Sequence, residues 1–328
     1  MVFYACKYNR NKLHIRIMKQ ISLCIPTYKR KVFLEQALSA MISQILSGKL
    51  ENIYEIVVFN DNGADDTDLY MIEMQKKYRF ITYAMQNGRI GLRKAIEHVP
   101  TLTSGKYIWF FSDDDLPTEG SLQYVYGYVL RQRPGIMFGN VDDFDGRDVV
   151  RQNMLRMSSS IPLSTRKDFF RFLSRKIGCI TYFTSYISNF IIRRDLFAAT
   201  SSINRQYDSS LNMTPLITPL FYTKLECLIV VLKKSIVLRR IGNESWVDPD
   251  PVAQVIKSYK ISGFHFGTIQ KLNIWDIPFS LHLYFIAHAI ERTLITWVIL
   301  LPFGMRVVKL YWNLEKKCYS LIFPNKHV

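Results

Sequence analysis

The N-terminal half of the chain alternates between two hydrophobic patterns. Short continuous apolar runs, each followed by a polar or glycine-containing loop, predict buried strands at 21–25, 54–59, 81–85 and 107–111. Apolar residues at helical spacing predict helices at 32–46, 68–78, 88–98 and 122–130. This alternation predicts an α/β fold built on a doubly wound, mostly parallel, Rossmann-like sheet.

Three loops of this half are expected at one edge of the sheet. They follow the first, second and fourth predicted strands and contain Tyr28, Asp61 and Asp113–Asp115. In doubly wound sheets, ligands bind outside the carboxyl ends of the strands. The sequence therefore predicts a ligand site at this edge.

The second half has a less regular pattern. Residues 136–165 are polar and predict irregular structure, whereas segments 182–192 and 235–239 predict strands and segments 167–173 and 219–231 predict helices. We predict three regions: a basic extension at 1–20, one domain at 21–252 with halves 21–135 and 136–252, and an apolar helical region at 253–328. Because Met18-Lys19-Gln20 directly precedes the first strand, we expect Met18 to be the natural start; the alternative is that residues 1–17 form a basic arm that contacts a membrane or the substrate.

The composition limits the classes of protein to which the chain could belong. The 328 residues are 48% hydrophobic and 21% charged, which is typical of a globular chain with a large core. The net charge of +16 favours an anionic partner: a nucleic acid, an anionic membrane surface or a phosphorylated substrate. A solvated basic surface is the alternative. Five scattered cysteines without a C-x-x-C pair argue against a disulfide framework and indicate a cytoplasmic location.

Candidate metal ligands follow the fourth predicted strand. Asp113, Asp114 and Asp115 come directly after an apolar run and Ser112. Adjacent carboxylates repel one another, and a divalent cation such as Mn²⁺ or Mg²⁺ would offset that repulsion through hard oxygen ligands. We predict Asp113 and Asp115 as the ligands. The alternative is an acidic turn that caps the next helix.

Four segments in order resemble the family 2 glycosyltransferases, whose fold is called GT-A. They are 21–30, 57–63, 87–91 and 104–115. The resemblance implies a nucleotide-sugar donor, linked to CDP, UDP, GDP or dTDP, at the carboxyl edge. The residues that it implies for donor binding are Pro26, Thr27, Tyr28, Arg30, Asp61, Asn62, Gly88, Arg93, Asp113 and Asp114.

Three later segments resemble bacterial O-antigen transferases of the abequosyltransferase kind. They are 188–197, 207–210 and 236–246. The resemblance implies a lipid-linked oligosaccharide acceptor and a role in surface-polysaccharide synthesis. Many inverting relatives carry a Glu-Asp pair that supplies a general base, but this chain has no such dipeptide. Asp208 and Glu226 are the candidates for a lone base, although Asp208 also suits a turn beside Ser209 and Ser210.

The C-terminal region mixes large aromatic and basic residues. Trp297, Trp312 and Tyr319 are interleaved with Lys309 and Lys316, a composition suited to the surface of an anionic bilayer. One interpretation is an interfacial helix pair on the inner face of the bacterial cytoplasmic membrane. The other is a helical cap on the catalytic domain. No run of 18 apolar residues occurs, so no spanning helix is predicted.

Two other functions fit the sequence less well than sugar transfer. A nucleotidyltransferase would carry a glycine-rich phosphate loop after its first strand, where this chain has Pro26-Thr27-Tyr28. A nucleic-acid-binding protein would gather its basic residues into one stripe, but here they spread through the chain. We therefore predict no nucleic-acid partner.

Overall fold

A computed structural model describes residues 18–63, 65–176, 182–183, 186–200 and 227–242. Its strands are β1 Ile21–Thr27, β2 Tyr54–Asn60, β3 Ile81–Met85, β4 Tyr107–Phe110, β5 Leu116–Pro117, β6 Ile136–Phe144, β7 Val149–Arg151, β8 Ile161–Leu163, β9 Phe190–Arg193 and β10 Ile229–Arg240. Its helices are α1 Lys31–Ser47, α2 Thr67–Lys77, α3 Leu92–His98, α4 Ser121–Gln132, α5 Arg166–Ser174 and α6 Arg194–Ala199, and a 3₁₀ turn covers Val99–Leu102.

The first half of the sheet is parallel. Strands β3, β2, β1 and β4 lie side by side in that order, with Ile21 of β1 opposite Tyr54 of β2 and Tyr107 of β4. Every residue of β1 and β2 is buried, as expected for parallel strands that are covered on both faces. The predicted strands and helices of this half are confirmed, except that the helix predicted at 88–98 begins at Leu92. Strand β1 extends through Pro26 to Thr27.

The second half makes the sheet mixed. Strand β9 is antiparallel to both of its neighbours, β4 and β6, and β10 runs parallel to β6. Strands β5 and β8 pair antiparallel with β10, and β7 pairs antiparallel with β6. The two predicted halves of the chain thus contribute strands to one ten-stranded sheet.

Helices cover both faces of the sheet, which confirms the doubly wound prediction. Helices α1, α2 and α4 pack on one face, where Leu38, Met71 and Leu122 are buried. Helices α3, α5 and α6 pack on the other face around aromatic residues such as Phe138 and Phe169, whose rings stack 5.5 Å apart. Burying this apolar surface on both faces is the main stabilising contribution to such a fold.

Three predictions for the second half were wrong. Residues 136–165 are not irregular throughout, because 136–144 form the buried strand β6 despite its polar residues. For the strand predicted at 182–192, residues 182–183 are helical and 186–189 are not in a strand, so the prediction holds only from Phe190, where β9 begins. For the helix predicted at 219–231, residues 229–231 are instead the first residues of β10. In β6, the buried Asp143 is compensated by ion pairs to Arg239 (2.7 Å) and Arg151 (2.8 Å).

Residues 1–17 and 253–328 lie outside the described residues, so the predicted extension and C-terminal helical region are untested. Among the helices that the structure describes, none combines the length and the apolar character needed to cross a bilayer.

Candidate active site

The carboxyl ends of the parallel strands bring the predicted loops together. Asp61, which follows β2, donates its backbone N–H to the carbonyl oxygen of Thr27 at the end of β1 (2.9 Å). The Thr27 hydroxyl in turn donates to Oδ2 of Asp113, which follows β4 (2.7 Å). The three loops therefore meet at one edge, as the alternating pattern predicts.

Asp113, Asp114 and Asp115, here called the acidic corner, form the centre of this edge. The side chains of Asp113 and Asp115 are buried, with residue exposures of 4% and 2%. Arg30, at the start of α1, places Nη1 3.0 Å from Oδ1 of Asp113 and 2.9 Å from Oδ2 of Asp114. One guanidinium thus bridges two of the three carboxylates.

Asp115 is held by residues that are distant in sequence. The hydroxyls of Tyr186 and Ser188 both donate to its Oδ2 at 2.6 Å, and the backbone N–H of Arg240 donates to Oδ1 at 3.0 Å. Ser188 also accepts a hydrogen bond from the backbone N–H of Ser112 (2.9 Å). These contacts fix the carboxylate between β4, β9 and β10.

No sequence pattern predicted a role for Tyr186, Ser188 or Arg240. Two of them, Ser188 and Arg240, lie in segments that resemble O-antigen transferases, but nothing in those segments indicates a contact with Asp115. Arg240 also donates from Nε to the carbonyl oxygen of Asp114 (3.1 Å) and stacks on Phe144, with 4.5 Å between guanidinium carbon and ring centroid. Arg240, the last residue of β10, therefore contacts both Asp114 and Asp115 of the acidic corner.

Burial shifts the titration of the acidic corner. Burial raises the pKa of Asp113 to about 6, against the opposing charge of Arg30. Burial, reinforced by the negative charge of Asp114, raises the pKa of Asp115 to about 7. Burial and the adjacent Asp115 raise the pKa of Tyr186 well above its usual range, so its phenol stays protonated as a donor.

Asp61 shapes the loop that leads into α3. Its Oδ1 accepts a hydrogen bond from the N–H of Ile90 (2.6 Å), and its Oδ2 accepts one from the N–H of Gly91 (2.8 Å). Gly91 has a φ of 84°, a conformation that glycine adopts far more readily than other residues. The buried carboxylate thus fixes the loop of residues 88–91 against the end of β2.

Within this loop, Arg89 forms a cationic and aromatic surface with Tyr28. The guanidinium carbon of Arg89 lies 4.2 Å from the ring centroid of Tyr28, which is within cation–π range. Asn62 and Gly88 are exposed nearby in their loops, and both have positive φ values, 58° and 87°. Such exposed planar groups can stack on or hydrogen-bond to a nucleotide base.

The other predicted site residues have different surroundings. Pro26 is buried within β1. Arg93 is 6% exposed on α3, with Nε 3.4 Å from Oε1 of Glu97. Asp208 and Glu226, the candidate bases, lie outside the described residues.

The acidic corner has the chemistry expected of a partial metal site. Its hard oxygen donors suit Mg²⁺ or Mn²⁺. Its buried like charges, which raise the pKa of Asp113 and Asp115, would be stabilised in ionised form by a cation. Within the described part of the chain, no group of three or more His, Cys, Asp or Glu side chains is arranged as a complete ligand set. Two carboxylates fit a metal that completes its shell with substrate phosphates and water.

Similar sequences are sugar transferases. The abequosyltransferase RfbV of Salmonella typhimurium is 25% identical over 233 residues, 69% of this chain and 68% of that protein. The GalNAc(5)-diNAcBac-PP-undecaprenol beta-1,3-glucosyltransferase of Campylobacter jejuni is 24% identical over 49% of this chain. The match spans about half of that enzyme, 53% of its length.

Solved structures with a similar fold include two transferases. TarS 1-349 of S. aureus in complex with UDP-GlcNAc has a TM-score of 0.58 at 18% identity, over 83% of this chain and 72% of that chain. The mannosyltransferase PcManGT of Pyrobaculum calidifontis, in complex with GDP-Man and Mn²⁺, has a TM-score of 0.55 at 12% identity. That match covers 93% of this chain and 81% of PcManGT. At these identities the likeness establishes the fold alone.

The family match covers the part of the chain that carries the site. The profile of glycosyl transferase family 2 matches residues 22–200, which is more than half of the chain and includes β1 through α6. The match contains the Thr27 loop, Asp61 and the acidic corner. The chain therefore belongs to glycosyl transferase family 2 and is a glycosyltransferase.

Proposed function

We propose that this enzyme transfers a sugar from a nucleotide-sugar donor to a lipid-linked saccharide in the synthesis of a bacterial surface polysaccharide. The observation that carries the proposal is the burial of the acidic corner at the edge where the Thr27 and Asp61 loops end. The carboxylates, the Arg30 guanidinium and the planar groups of Tyr28 and Arg89 at one edge suit a ligand that combines a base with a diphosphate.

The donor's base and diphosphate would contact different parts of this edge. Tyr28 and Arg89 offer stacking surfaces for the base, and Asn62 and Gly88 line the adjacent loops. Arg30, whose guanidinium bridges Asp113 and Asp114, lies where it could pair with phosphate oxygens instead. Arg93 contributes positive charge from within α3 rather than from the surface.

We propose Asp113 and Asp115 as the residues that hold a divalent cation, either Mn²⁺ or Mg²⁺. When bound, such a cation neutralises negative charge on the departing diphosphate. The chain itself orients the carboxylates, excludes water from Asp115 by burial and supplies Arg30 as a further positive charge. The Mn²⁺ in the PcManGT complex supports a metal-assisted reaction in this fold.

The proposal of a lipid-linked acceptor draws on the relatives. The Campylobacter jejuni enzyme is named for an acceptor saccharide on diphosphoundecaprenol, and RfbV is named as an abequosyltransferase. An acceptor in a lipid bilayer requires the enzyme to work at the membrane surface. The net charge of +16 would favour an anionic inner leaflet. Asp208 and Glu226 stay the candidates for a general base toward the acceptor hydroxyl.

A thermal-unfolding panel tests the donor site. The full chain is heated with UDP-, GDP-, CDP- and dTDP-sugars, with and without Mn²⁺, alongside the Asp115→Ala variant. A ligand that binds only the native state raises Tm by mass action. We expect one nucleotide class to raise Tm in the presence of Mn²⁺, and we expect Asp115→Ala to lose the Mn²⁺-dependent part of that rise.

Two results would count against the proposal. If no nucleotide sugar shifted Tm of the folded protein, the edge would not be a donor site for these four classes. If a nucleotide shifted Tm equally in Asp115→Ala and wild type, the donor site would stand without a metal at the acidic corner.

A further inference from the structure

Asp115 makes hydrogen bonds that differ between its two oxygens. Oδ2 accepts from two hydroxyls, those of Tyr186 and Ser188, whereas Oδ1 accepts only from the backbone N–H of Arg240 among the described residues. An ionised carboxylate has about four lone-pair positions, two on each oxygen. Oδ2 is therefore saturated, and one acceptor position is left on Oδ1.

The direction of these hydrogen bonds is fixed by their surroundings. Ser188 accepts from the N–H of Ser112, so its single proton is available for Asp115. The Tyr186 hydroxyl lies 2.6 Å from Oδ2, and because an ionised carboxylate oxygen only accepts hydrogen bonds, the phenol is the donor. Both hydroxyls consequently act as donors to an acceptor-only carboxylate.

We infer that Tyr186 and Ser188 are positioning residues that occupy Oδ2 of Asp115 and so present Oδ1 to a divalent cation. The inference rests on the proposed metal role of Asp115. Neither hydroxyl needs to touch the metal or the donor. Their effect is to hold the carboxylate in one orientation against repulsion from Asp114, and removing such partners of a ligand typically weakens metal affinity about 10- to 100-fold.

The chain offers matched controls at the amino ends of β1 and β2, away from the acidic corner. The hydroxyl of the buried Ser22 donates to the buried Glu55 at 2.6 Å, the same arrangement as Ser188 and Asp115. The buried Tyr54 donates its hydroxyl to the carbonyl oxygen of Leu122 at 2.7 Å. Ser22→Ala and Tyr54→Phe therefore remove equivalent hydroxyls and hydrogen bonds without altering the surroundings of Asp115.

The experiment measures Mn²⁺ affinity rather than turnover. Free Mn²⁺ is followed by electron paramagnetic resonance as it is titrated into the full chain, with UDP, GDP, CDP and dTDP in turn. We expect Tyr186→Phe and Ser188→Ala each to raise Kd for Mn²⁺ about 10-fold. We expect Ser22→Ala and Tyr54→Phe to leave Kd within twofold of wild type, even where they lower Tm.

The outcomes separate this inference from the proposal beneath it. If Asp115→Asn abolished Mn²⁺ binding while Tyr186→Phe and Ser188→Ala bound it as tightly as wild type, the positioning role would be wrong and the metal site would stand. If wild type bound no Mn²⁺ with any nucleotide, both would be wrong. Ser188→Ala deletes a single oxygen and carries the test alone should Tyr186→Phe fail to fold.

Discussion

Two buried carboxylates at opposite ends of the parallel strands show how similar local structures can serve different purposes. Glu55, near the start of β2, is 4% exposed and accepts from the Ser22 hydroxyl (2.6 Å), the Ser104 hydroxyl (3.0 Å) and the Gly105 N–H (3.0 Å). Asp115, after β4, is 2% exposed and accepts from two hydroxyls and one backbone N–H. Both carboxylates accept from two hydroxyls, and Glu55 accepts from one further backbone N–H, that of Ser104.

The difference between them lies in the neighbouring charges. Lys19 lies close enough to Glu55 that the carboxylate counteracts the lowering of the lysine pKa by burial. Asp115 instead has Asp114 beside it, and burial together with that like charge raises its pKa to about 7. A buried carboxylate with a cation nearby is compensated, whereas one beside a second carboxylate is stabilised by an added cation.

The largest expected effect would separate the two carboxylates by activity. Asp115→Asn should lower the rate of sugar transfer about 100-fold or more. The change removes a ligand of the proposed cation, and that cation would neutralise negative charge on the departing diphosphate. The rate is measured with the donor that raises Tm of wild type. Glu55→Gln is the matched change, and equal losses of rate in the two folded variants would contradict the distinction.

The second effect is on stability. Glu55→Gln should lower the free energy of unfolding by about 1–3 kcal/mol. Oε1 of Glu55 accepts from the Ser22 hydroxyl and from the N–H groups of Ser104 and Gly105, and a neutral amide oxygen would accept these bonds more weakly than a carboxylate. Urea unfolding measures this change. Mn²⁺ affinity should be unchanged, and a large loss of affinity would show that the two ends of the strands are coupled.

The third effect is a pH dependence of the metal-free protein. The pKa values of Asp113 and Asp115 are raised to about 6 and 7, so between pH 4 and 7 the folded state binds more protons than the unfolded state. These groups therefore make the protein less stable as pH rises through this window, by about 1 kcal/mol per pH unit for each group. Urea unfolding at pH 5.5 and 7.5 checks the sign.

Asp115→Asn should flatten this dependence, and Mn²⁺ should oppose the loss of stability at the higher pH. A dependence of equal slope in Asp115→Asn and wild type would assign it to other groups.

The smallest effect concerns the surface that Arg89 and Tyr28 form at the carboxyl edge of the sheet. Arg89→Ala should weaken nucleotide binding about threefold, because in our proposal the Arg89 guanidinium stacks on the base, and a contact of this kind at an exposed site contributes about 0.5–1 kcal/mol. Arg131→Ala is the matched control, since its guanidinium carbon lies 5.6 Å from the Tyr128 ring on α4. Calorimetric titration with the nucleoside diphosphate distinguishes them, and equal losses would exclude a specific role for Arg89.

The parallel half could be predicted from sequence because its signals are local. Buried parallel strands such as β1 and β2 are continuous apolar runs, and the helices between them have clear apolar spacing. Strand β6 was missed because Asn140, Asp142 and Asp143 interrupt its apolar pattern. Burial of Asp143 in the sheet is compensated by ion pairs to Arg151 on β7 and to Arg239 on β10, and β10 is distant in sequence.

The part of the site that follows the parallel strands could also be predicted from local sequence signals. Asp61 and the acidic corner directly follow apolar strands, so their place at one edge follows from the strand order. The partners of Asp115 come from residues 186, 188 and 240, and only the antiparallel insertion of β9 and the pairing of β10 with β6 bring them close. No local pattern marks those partners.

The central claim is that the acidic corner holds a divalent cation against a bound nucleotide. The most direct test is an anomalous difference map from crystals grown with Mn²⁺ and the nucleoside diphosphate that most raises Tm. The account predicts a peak about 2.1 Å from an oxygen of Asp115 or Asp113, between that carboxylate and the diphosphate. A nucleotide bound at this edge with its Mn²⁺ held away from both carboxylates, or a nucleotide bound elsewhere on the protein, would contradict it.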